Sequence, residues 1–445
     1  MRTPKTPPPF QNIIAEKDGA DRFSKIWMAL KAIPPASTKY FHWDNLRFRT
    51  PPGGLTHEEW WCGLKFERMG ASRNVPLKDK TGKHFVFNIP DLVTELLHQI
   101  DRDGGTLIQI PEPVTNPAER DRYLMRSLIE EAITSSQLEG AVTTREVAKK
   151  MLADGRAPRD RSERMILNNF LTMRHIIEVK DEPLTPELVL DIHRRVSEHA
   201  LDTPDAAGRL RRVDEPVDVS DNYGRVFHVP PDASELPERL AVMCDFANGK
   251  APAYFIHPVV RAVILHFWLA YDHPFVDGNG RTARALFYWQ MLHGGYWLFE
   301  FVSISQIIRK SAVAYGTAFL HTETDDNDLT YFLIHQADVV RQALLELHAY
   351  VARKSKEMRT GMTVLNAVPD LNHRQIALLA HALRHANARY DIAGHAMRQG
   401  VVYQTARADL LNLAARHFLE QRKSGRTFVF ISPADLEQRL RTTGH

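Results

Sequence analysis

The feature that most constrains this chain is a short polar break between two long apolar segments. Residues Pro258 to Tyr271 predict a buried helix, and residues from about Asn279 to His293 predict a second one that is apolar on one face. Between them, residues 273–284 read HPFVDGNGRTAR. Glycines let a turn direct its backbone N–H groups inward, and the next helix adds the positive end of its dipole. The break therefore predicts an anion-binding loop at a helix N-terminus.

The charged side chains of this loop are suited to a polyphosphate. Arg281 and Arg284 are three residues apart and share one face of the second helix. Asp277 is a lone carboxylate, and Mg²⁺ combines such a ligand with water and phosphate oxygens. His273 has an ordinary pKa near 6.5 and can take a proton from an attacking hydroxyl. Alone, the histidine could cap a helix and the aspartate could satisfy loop amides, but the set favours a nucleotide site.

The whole segment resembles, position for position, the Fic motif HPFx(D/E)GNGRxxR, and the resemblance covers roughly residues 120 to 345. It implies a mainly α fold, with a Fic-type helical core and a β-hairpin flap. The implied roles are general base for His273, Mg²⁺ ligand for Asp277, anion hole for Gly278, Asn279 and Gly280, diphosphate binding for Arg281, and γ-phosphate orientation for Arg284. The implied activity is protein adenylylation, in which AMP moves from ATP to a Ser, Thr or Tyr hydroxyl of a protein, including the enzyme itself.

Two alternatives stay open at this point. A Fic enzyme can use another nucleotide or phospho-donor, or remove AMP, because the orientation of the nucleotide decides which phosphorus is attacked. The alternative of another class is a DNA-binding regulator whose Fic fold senses nucleotide.

A second short motif lies upstream, where residues 135–140 read SSQLEG. It resembles the inhibitory motif (S/T)xxxE(G/N) of the same family, with Ser135 and Glu139 one helical turn apart at the end of a helix predicted over about 117–140. The resemblance implies that Glu139 pairs with Arg284 and occupies the arginine that the γ-phosphate needs. The alternative is an ordinary surface carboxylate near a helix end.

Residues 217–229 predict a β-hairpin, because alternating residues flank a turn that contains Gly224. The hairpin resembles the flap with which the family pairs an extended segment of its target. We take the target-docking candidates to be Val217, Val219, Val226 and His228. A hairpin that only covers the core is the alternative.

The last segment is basic, although the formal net charge of the chain is only +3. Helical stretches at 373–385, 390–398 and 403–415, followed by a basic run and a strand at 427–431, predict a winged helix-turn-helix domain. Its candidate DNA contacts are Thr405, Arg407, Arg422, Lys423 and Arg426. Dimerisation or protein docking by the same fold is the alternative.

These patterns divide the chain into four parts: an N-terminal α+β region at 1–110 of unclear role, a Fic catalytic domain at 111–350, a linker at 351–371 and a winged helix domain at 372–445. In the first part, alternation predicts strands at Tyr40–Trp43 and Leu46–Phe48, and Thr56 predicts a helix N-cap.

Composition indicates a cytoplasmic protein without a membrane partner. The two cysteines, Cys62 and Cys244, lie far apart, and neither a signal peptide nor a membrane span is recognisable in the sequence. Members of the Fic family often dimerise, so a homodimer is one of the oligomeric states left open.

Overall fold

The computed structural model describes residues 2–9, 19–31, 40–104, 117–221, 223–385, 387–424 and 427–443. These residues form two compact units, and the boundary falls between Leu347 and His348. The fold is mainly helical, as the sequence predicts. In the part of the chain described here, no helix combines the length and the apolar character needed to cross a bilayer.

In the residues described, the N-terminal part of the first unit contains four α-helices and one two-stranded antiparallel sheet. Its elements are α1 (Gly19–Lys31), α2 (Trp43–Leu46), α3 (His57–Ala71), β1 (Arg73–Lys78), β2 (His84–Phe87) and α4 (Asp91–Gly104). Thr56 caps α3 as predicted, because its hydroxyl accepts from the Glu59 amide while the Glu59 carboxylate accepts from the Thr56 amide.

The strands predicted between residues 40 and 48 are wrong. Residues Trp43–Leu46 form the single helical turn α2, and the His42 side chain caps it by accepting from the Asp44 amide. The aromatic residues of this segment pack edge-on against Trp61 and Tyr331 of other helices. Their alternation therefore reflects tertiary packing instead of a pleated strand.

A helical bundle makes up the rest of the first unit. Its helices are α5 (Pro117–Leu138), α6 (Arg145–Asp154), α7 (Arg161–Glu178), α8 (Pro186–Ser197), α9 (Leu236–Ala247), α10 (Pro258–Asp272), α11 (Asn279–His293), α12 (Ile304–Lys310), α13 (Ala312–Thr324) and α14 (Thr330–Ala367), the last of which contains the unit boundary. The bounds predicted for α5 and α11 are confirmed. Nearly all side chains of α10 and α11 are buried in the hydrophobic core, so the loop between these helices rests on its most densely packed part.

Two local predictions for the bundle have different outcomes. The predicted hairpin is present, but it is short, since β3 (Val219–Ser220) pairs antiparallel with β4 (Val226–His228). By residue type, Ser162 predicts the N-cap of a helix over about 162–178. This prediction is wrong, because α7 already begins at Arg161 and the Asp160 carboxylate caps it by accepting from the Glu163 amide. The Ser162 hydroxyl accepts from the Val142 amide instead.

The second unit has its own core, formed around Leu379, Leu410 and Phe430. Beyond α14 its elements are α15 (His373–Arg384), β5 (Arg389–Tyr390), α16 (Ile392–Gln399), α17 (Tyr403–Ala415), β6 (Glu420–Ser424), β7 (Thr427–Ile431) and α18 (Leu436–Thr443). The strands pair antiparallel in the order β5-β7-β6. Gly400 ends α16 in the left-handed conformation, with φ of 62°. The assignment of this unit as a winged helix stays a prediction.

Candidate active site

The loop between α10 and α11 is held in shape by one asparagine. The Asn279 side chain accepts from the Phe275 amide (2.9 Å) and donates to the Phe275 carbonyl (2.7 Å), which closes the turn. Gly278 precedes α11 with φ of 86°, a conformation that favours glycine. The first amides of α11 lack helical acceptors, so the loop ends on a cluster of N–H donors at the positive end of a helix.

His273 stands at the start of this loop in a strained backbone conformation. Its φ of 45° and ψ of 56° are left-handed, which costs a non-glycine residue roughly 1–2 kcal/mol. Nδ1 lies 3.2 Å from the Ala270 carbonyl oxygen, which can only accept, so Nδ1 donates and Nε2 keeps its lone pair. Burial lowers the pKa of His273 to about 4. At neutral pH the ring is therefore uncharged and can accept a proton at Nε2.

Arg281 is a buried cation with unused hydrogen-bond donors. Its side chain has no solvent exposure, and Nη1 donates to the Val196 carbonyl at 2.9 Å. Among the residues that the structure describes, Nε and Nη2 find no hydrogen-bond partner, and Nη2 lies 3.7 Å from an Asp277 carboxylate oxygen. Leaving buried donors of a charged group unpaired costs free energy. This arrangement suits an anionic ligand that supplies the missing acceptors.

Two nitrogens of the Arg284 guanidinium donate hydrogen bonds to the end of α5. Nε donates to the Ser135 hydroxyl at 2.9 Å, and Nη2 donates to the Ser135 carbonyl at 3.0 Å and to Glu139 Oε1 at 2.8 Å. The guanidinium is 2% exposed and the Glu139 side chain 27% exposed. The pairing of Glu139 with Arg284 that the resemblance implies is thus present, while its inhibitory effect stays a prediction.

The Glu139 carboxylate also lies directly against the first turn of α11. A Cβ atom placed on Gly280 would come within 2.1 Å of Glu139 Oε1, so any side chain at this position would have to displace the carboxylate. An anion is therefore already held at the helix N-terminus where a phosphate would be favoured.

Asp277 presents a carboxylate at the outer side of the loop. Oδ1 accepts from the Gly278 amide at 2.5 Å, Oδ2 accepts from Arg161 at 3.1 Å, and the side chain is 38% exposed. Arg161 also donates to Asp202 at 2.9 Å. Within the described residues there is no cluster of three or more His, Cys, Asp or Glu side chains arranged to hold a metal. One accessible carboxylate beside a polyphosphate site fits Mg²⁺, which takes its remaining ligands from phosphate and water.

The hairpin candidates do not all face the same way. Val219 and Val226 are exposed, and Val217, which precedes β3, is half-buried. His228 is 8% exposed, and its ring nitrogens contact the Tyr271 carbonyl and a Glu323 carboxylate oxygen, each at 2.7 Å. The His228 side chain therefore faces inward, and the assignment of this residue to target docking, which would act through the main chain, stays a prediction.

The candidate DNA contacts lie on two elements of the second unit. On α17, Arg407 is exposed and Thr405 half-buried. On β6, Lys423 is exposed, and Arg422 is exposed with its guanidinium 2.9 Å from Glu420. Arg426 lies outside the described residues.

Three residues that contact the loop escape sequence-based prediction. Arg161 binds the Asp277 carboxylate, His193 Nε2 donates to the Asp277 carbonyl at 2.9 Å, and Arg211 Nε donates to the His273 carbonyl at 3.0 Å. The loop lies 116, 84 and 62 residues away from them along the chain. No local pattern marks these residues, because only the packing of α7 and α8 and the chain before the hairpin bring them to the loop.

Comparison with known proteins is consistent with this geometry. Residues 183–291 match the model of the Fic/DOC family. The chain is 32% identical over 212 residues to Protein adenylyltransferase Fic of Nematostella vectensis, covering 47% of each protein. It is 30% identical over 201 residues to the protein of the same name from Aedes aegypti, covering 44% of this chain and 37% of the relative. The chain thus spans less than half of the length of these relatives.

A solved structure shares the fold. A Fic family protein from Desulfovibrio desulfuricans G20 superposes with a TM-score of 0.53 at 20% sequence identity. The match covers 77% of this chain and 96% of that protein.

Proposed function

Since the chain carries a Fic domain, we propose that it is a protein adenylyltransferase that transfers AMP from ATP to a Ser, Thr or Tyr hydroxyl and is inhibited by its own Glu139. The observation that carries the proposal is the Glu139 carboxylate bound to Arg284 and resting on Gly280. This carboxylate would fill one part of an anion site whose other buried guanidinium, Arg281, keeps two nitrogens without an acceptor in the described part of the chain.

The residues of the loop fit in-line displacement at the α-phosphorus of ATP. The target hydroxyl oxygen forms a bond to phosphorus, its proton moves to Nε2 of His273, and the bond to pyrophosphate breaks. Arg281 would neutralise the diphosphate, and the amides of the α11 N-terminus would bind phosphate oxygens. Asp277 would hold Mg²⁺, which supplies charge neutralisation on the phosphates when it is bound.

Inhibition follows from competition for one guanidinium. Arg284 donates to Glu139 and Ser135 in this structure, and the γ-phosphate would need the same donors. ATP that binds while Glu139 stays in place cannot seat its γ-phosphate, so its α-phosphorus is not aligned with His273. Removal of the carboxylate is then expected to activate the enzyme.

The hairpin would hold the target segment. β3 and β4 form a two-stranded sheet in the described part of the chain, and Val219 and Val226 are exposed on it. An extended peptide can add to such an edge by main-chain hydrogen bonds, which align a hydroxyl with little dependence on sequence. The names of the relatives support a protein as the acceptor, since both are called protein adenylyltransferases.

The proposal is tested with ATP labelled either at the α- or at the γ-phosphate, using the Glu139→Gly variant as the open form. Label from the α-position should enter protein, and His273→Ala should abolish this transfer. Transfer of γ-label alone would show a kinase and contradict the proposal. Transfer from another labelled nucleotide but not from ATP would support the transfer reaction and show that the donor is a nucleotide other than ATP.

A second candidate function concerns the C-terminal unit. The α16–Gly400–α17 arrangement exposes Gln404 and Arg407 at the start of the second helix, as a helix that enters a DNA groove would. We propose duplex DNA as a ligand of this unit. Binding should weaken steeply with salt, and Arg407→Ala should reduce the salt slope by about 1. Absence of any salt-dependent shift would leave protein docking or a homodimer as the use of this surface.

A further inference from the structure

The hairpin region makes contacts that no target-docking role explains. Three backbone carbonyls at or near His273, those of Tyr271, His273 and Pro274, accept hydrogen bonds from this region. His228 Nε2 donates to the Tyr271 carbonyl at 2.7 Å. Arg211 Nε donates to the His273 carbonyl at 3.0 Å, and the Arg211 amide donates to the Pro274 carbonyl at 2.9 Å.

Arg211 joins the catalytic loop to the end of the hairpin. Besides its bond to His273, its Nη2 donates to the Pro231 carbonyl at 2.5 Å, and the residue is 7% exposed. Burial lowers the pKa of this guanidinium. The described hydrogen bonds of the Arg211 guanidinium go to backbone carbonyls. The side chain therefore acts mainly by fixing the position of these backbone segments, and not by neutralising a carboxylate.

His228 is held from both sides. The Tyr271 carbonyl can only accept, so Nε2 carries a proton and donates to it. Nδ1 lies 2.7 Å from the Glu323 carboxylate on α13, which fixes the orientation of the ring. The strand β4 is thereby attached to the last turn of α10, two residues before His273.

We infer that Arg211 and His228 form a backbone clamp that holds His273 in its left-handed conformation and so aims the imidazole. A non-glycine residue relaxes out of this conformation unless the surroundings hold it. The clamp makes these two residues positioning residues, because they act on the base through its backbone and do not touch the reacting atoms. Its effect on transfer rests on the proposed function, but its effect on the orientation of His273 does not.

The kinetic test compares neighbouring arginines in the Glu139→Gly background. Arg211→Ala should lower kcat about 10- to 100-fold through misplacement of the base. The Kd for ATP, measured by titration calorimetry, should change less than about twofold, because the phosphate donors stay in place. Arg212→Ala is the matched control, since that side chain is exposed and directed to Asp205 at 3.5 Å, and it should leave kcat unchanged.

Two further variants keep the inference testable if Arg211→Ala does not fold. Arg211→Lys keeps the charge and one donor and should restore part of kcat. His228→Phe keeps a ring but donates nothing, and it should lower kcat while the Kd for ATP is maintained. An unchanged kcat in Arg211→Ala or His228→Phe, or an equal loss of kcat and ATP affinity, would overturn the clamp.

A measurement without turnover separates this inference from the proposed function. In protein labelled with ¹³C-histidine, the His273 ring signal is assigned as the one missing in His273→Ala. Arg211→Ala should move that signal, and Arg212→Ala should not. An unmoved signal would overturn the clamp, whereas a moved signal in a protein that transfers no AMP would support the clamp and contradict the enzyme.

Discussion

The loop segment at residues 273–284 and the C-terminal unit both carry arginines, but these arginines differ in burial. In this segment, Arg281 and Arg284 are buried. Arg284 donates to Ser135 and Glu139, whereas Nε and Nη2 of Arg281 have no acceptor among the described residues. In the C-terminal unit, Arg407 and Arg422 are exposed to solvent. Water can satisfy an exposed guanidinium, so its position does not specify a ligand. A buried guanidinium with free donors does specify one, because only an anion of fitting shape offsets its desolvation.

The largest expected difference between the two units is their response to acid. Burial lowers the pKa of His193, His273 and His335 to about 4 and that of His266 to about 3, all in the first unit. Below pH 6.5 these histidines become protonated in the unfolded chain, whereas in the folded protein they stay neutral until the pH approaches their lowered pKa values. The free energy of unfolding should therefore fall as the pH decreases from about 6.5 to 4, by up to about 1.4 kcal/mol per pH unit for each such histidine.

Tryptophan fluorescence reports the unfolding of the first unit, because all seven tryptophans lie at or before Trp297 and therefore within that unit. The urea midpoint followed by fluorescence should drop strongly between pH 7 and pH 5. Equal midpoints at the two pH values would show that these histidines are not protected from protonation in the folded state.

A smaller effect is expected on nucleotide affinity when one arginine from each region is removed. In the Glu139→Gly background, Arg281→Ala should weaken ATP binding by about 10- to 100-fold, the loss expected for a charge-assisted hydrogen bond. Arg407→Ala should leave ATP binding unchanged, since its guanidinium is exposed in the other unit. Calorimetric titration measures both ATP affinities. Comparable losses of affinity in the two variants would contradict the proposed difference between the two regions.

The smallest effect concerns Arg161, whose ion pair with Asp277 is half exposed. A metal on Asp277 has to compete with this guanidinium, so Arg161→Gln should lower the Mg²⁺ concentration that half-saturates ATP binding. An exposed pair contributes at most about 1 kcal/mol, which corresponds to about two- to fivefold. Arg174→Gln on the same helix removes an equal charge farther along α7 and serves as the control. A higher Mg²⁺ requirement in Arg161→Gln would mean that Arg161 assists the site instead of competing in it.

Local signals in the sequence were sufficient for the loop at residues 273–284 and for the helix that follows it. The glycines and apolar faces around residues 273–284 predict both the anion-binding turn and the bounds of α11, since a helix start is set within one turn. The pairing of Glu139 with Arg284 followed from a resemblance, not from spacing, because 145 residues separate them.

Tertiary contacts account for what sequence reasoning missed. The alternating aromatics at 40–48 pack onto distant helices, whereas β1 reads RNVPLK, which contains the poor strand formers Asn74 and Pro76. Arg211 sits in the charged run Arg209–Arg212, which is typical of a solvated surface. Its burial against the His273 carbonyl depends on how the chain returns to the loop, which no local pattern encodes.

The most direct test of the account is the intact mass of the protein after incubation with Mg²⁺ and ATP. The central claim is that one carboxylate, that of Glu139, keeps a complete transfer site closed. Glu139→Gly should gain the mass of one or more AMP units, Glu139→Gln should gain less, and the wild-type chain should keep its original mass. Equal gains in the wild type and Glu139→Gly would contradict inhibition by Glu139, and no gain in any of the three would contradict self-directed AMP transfer.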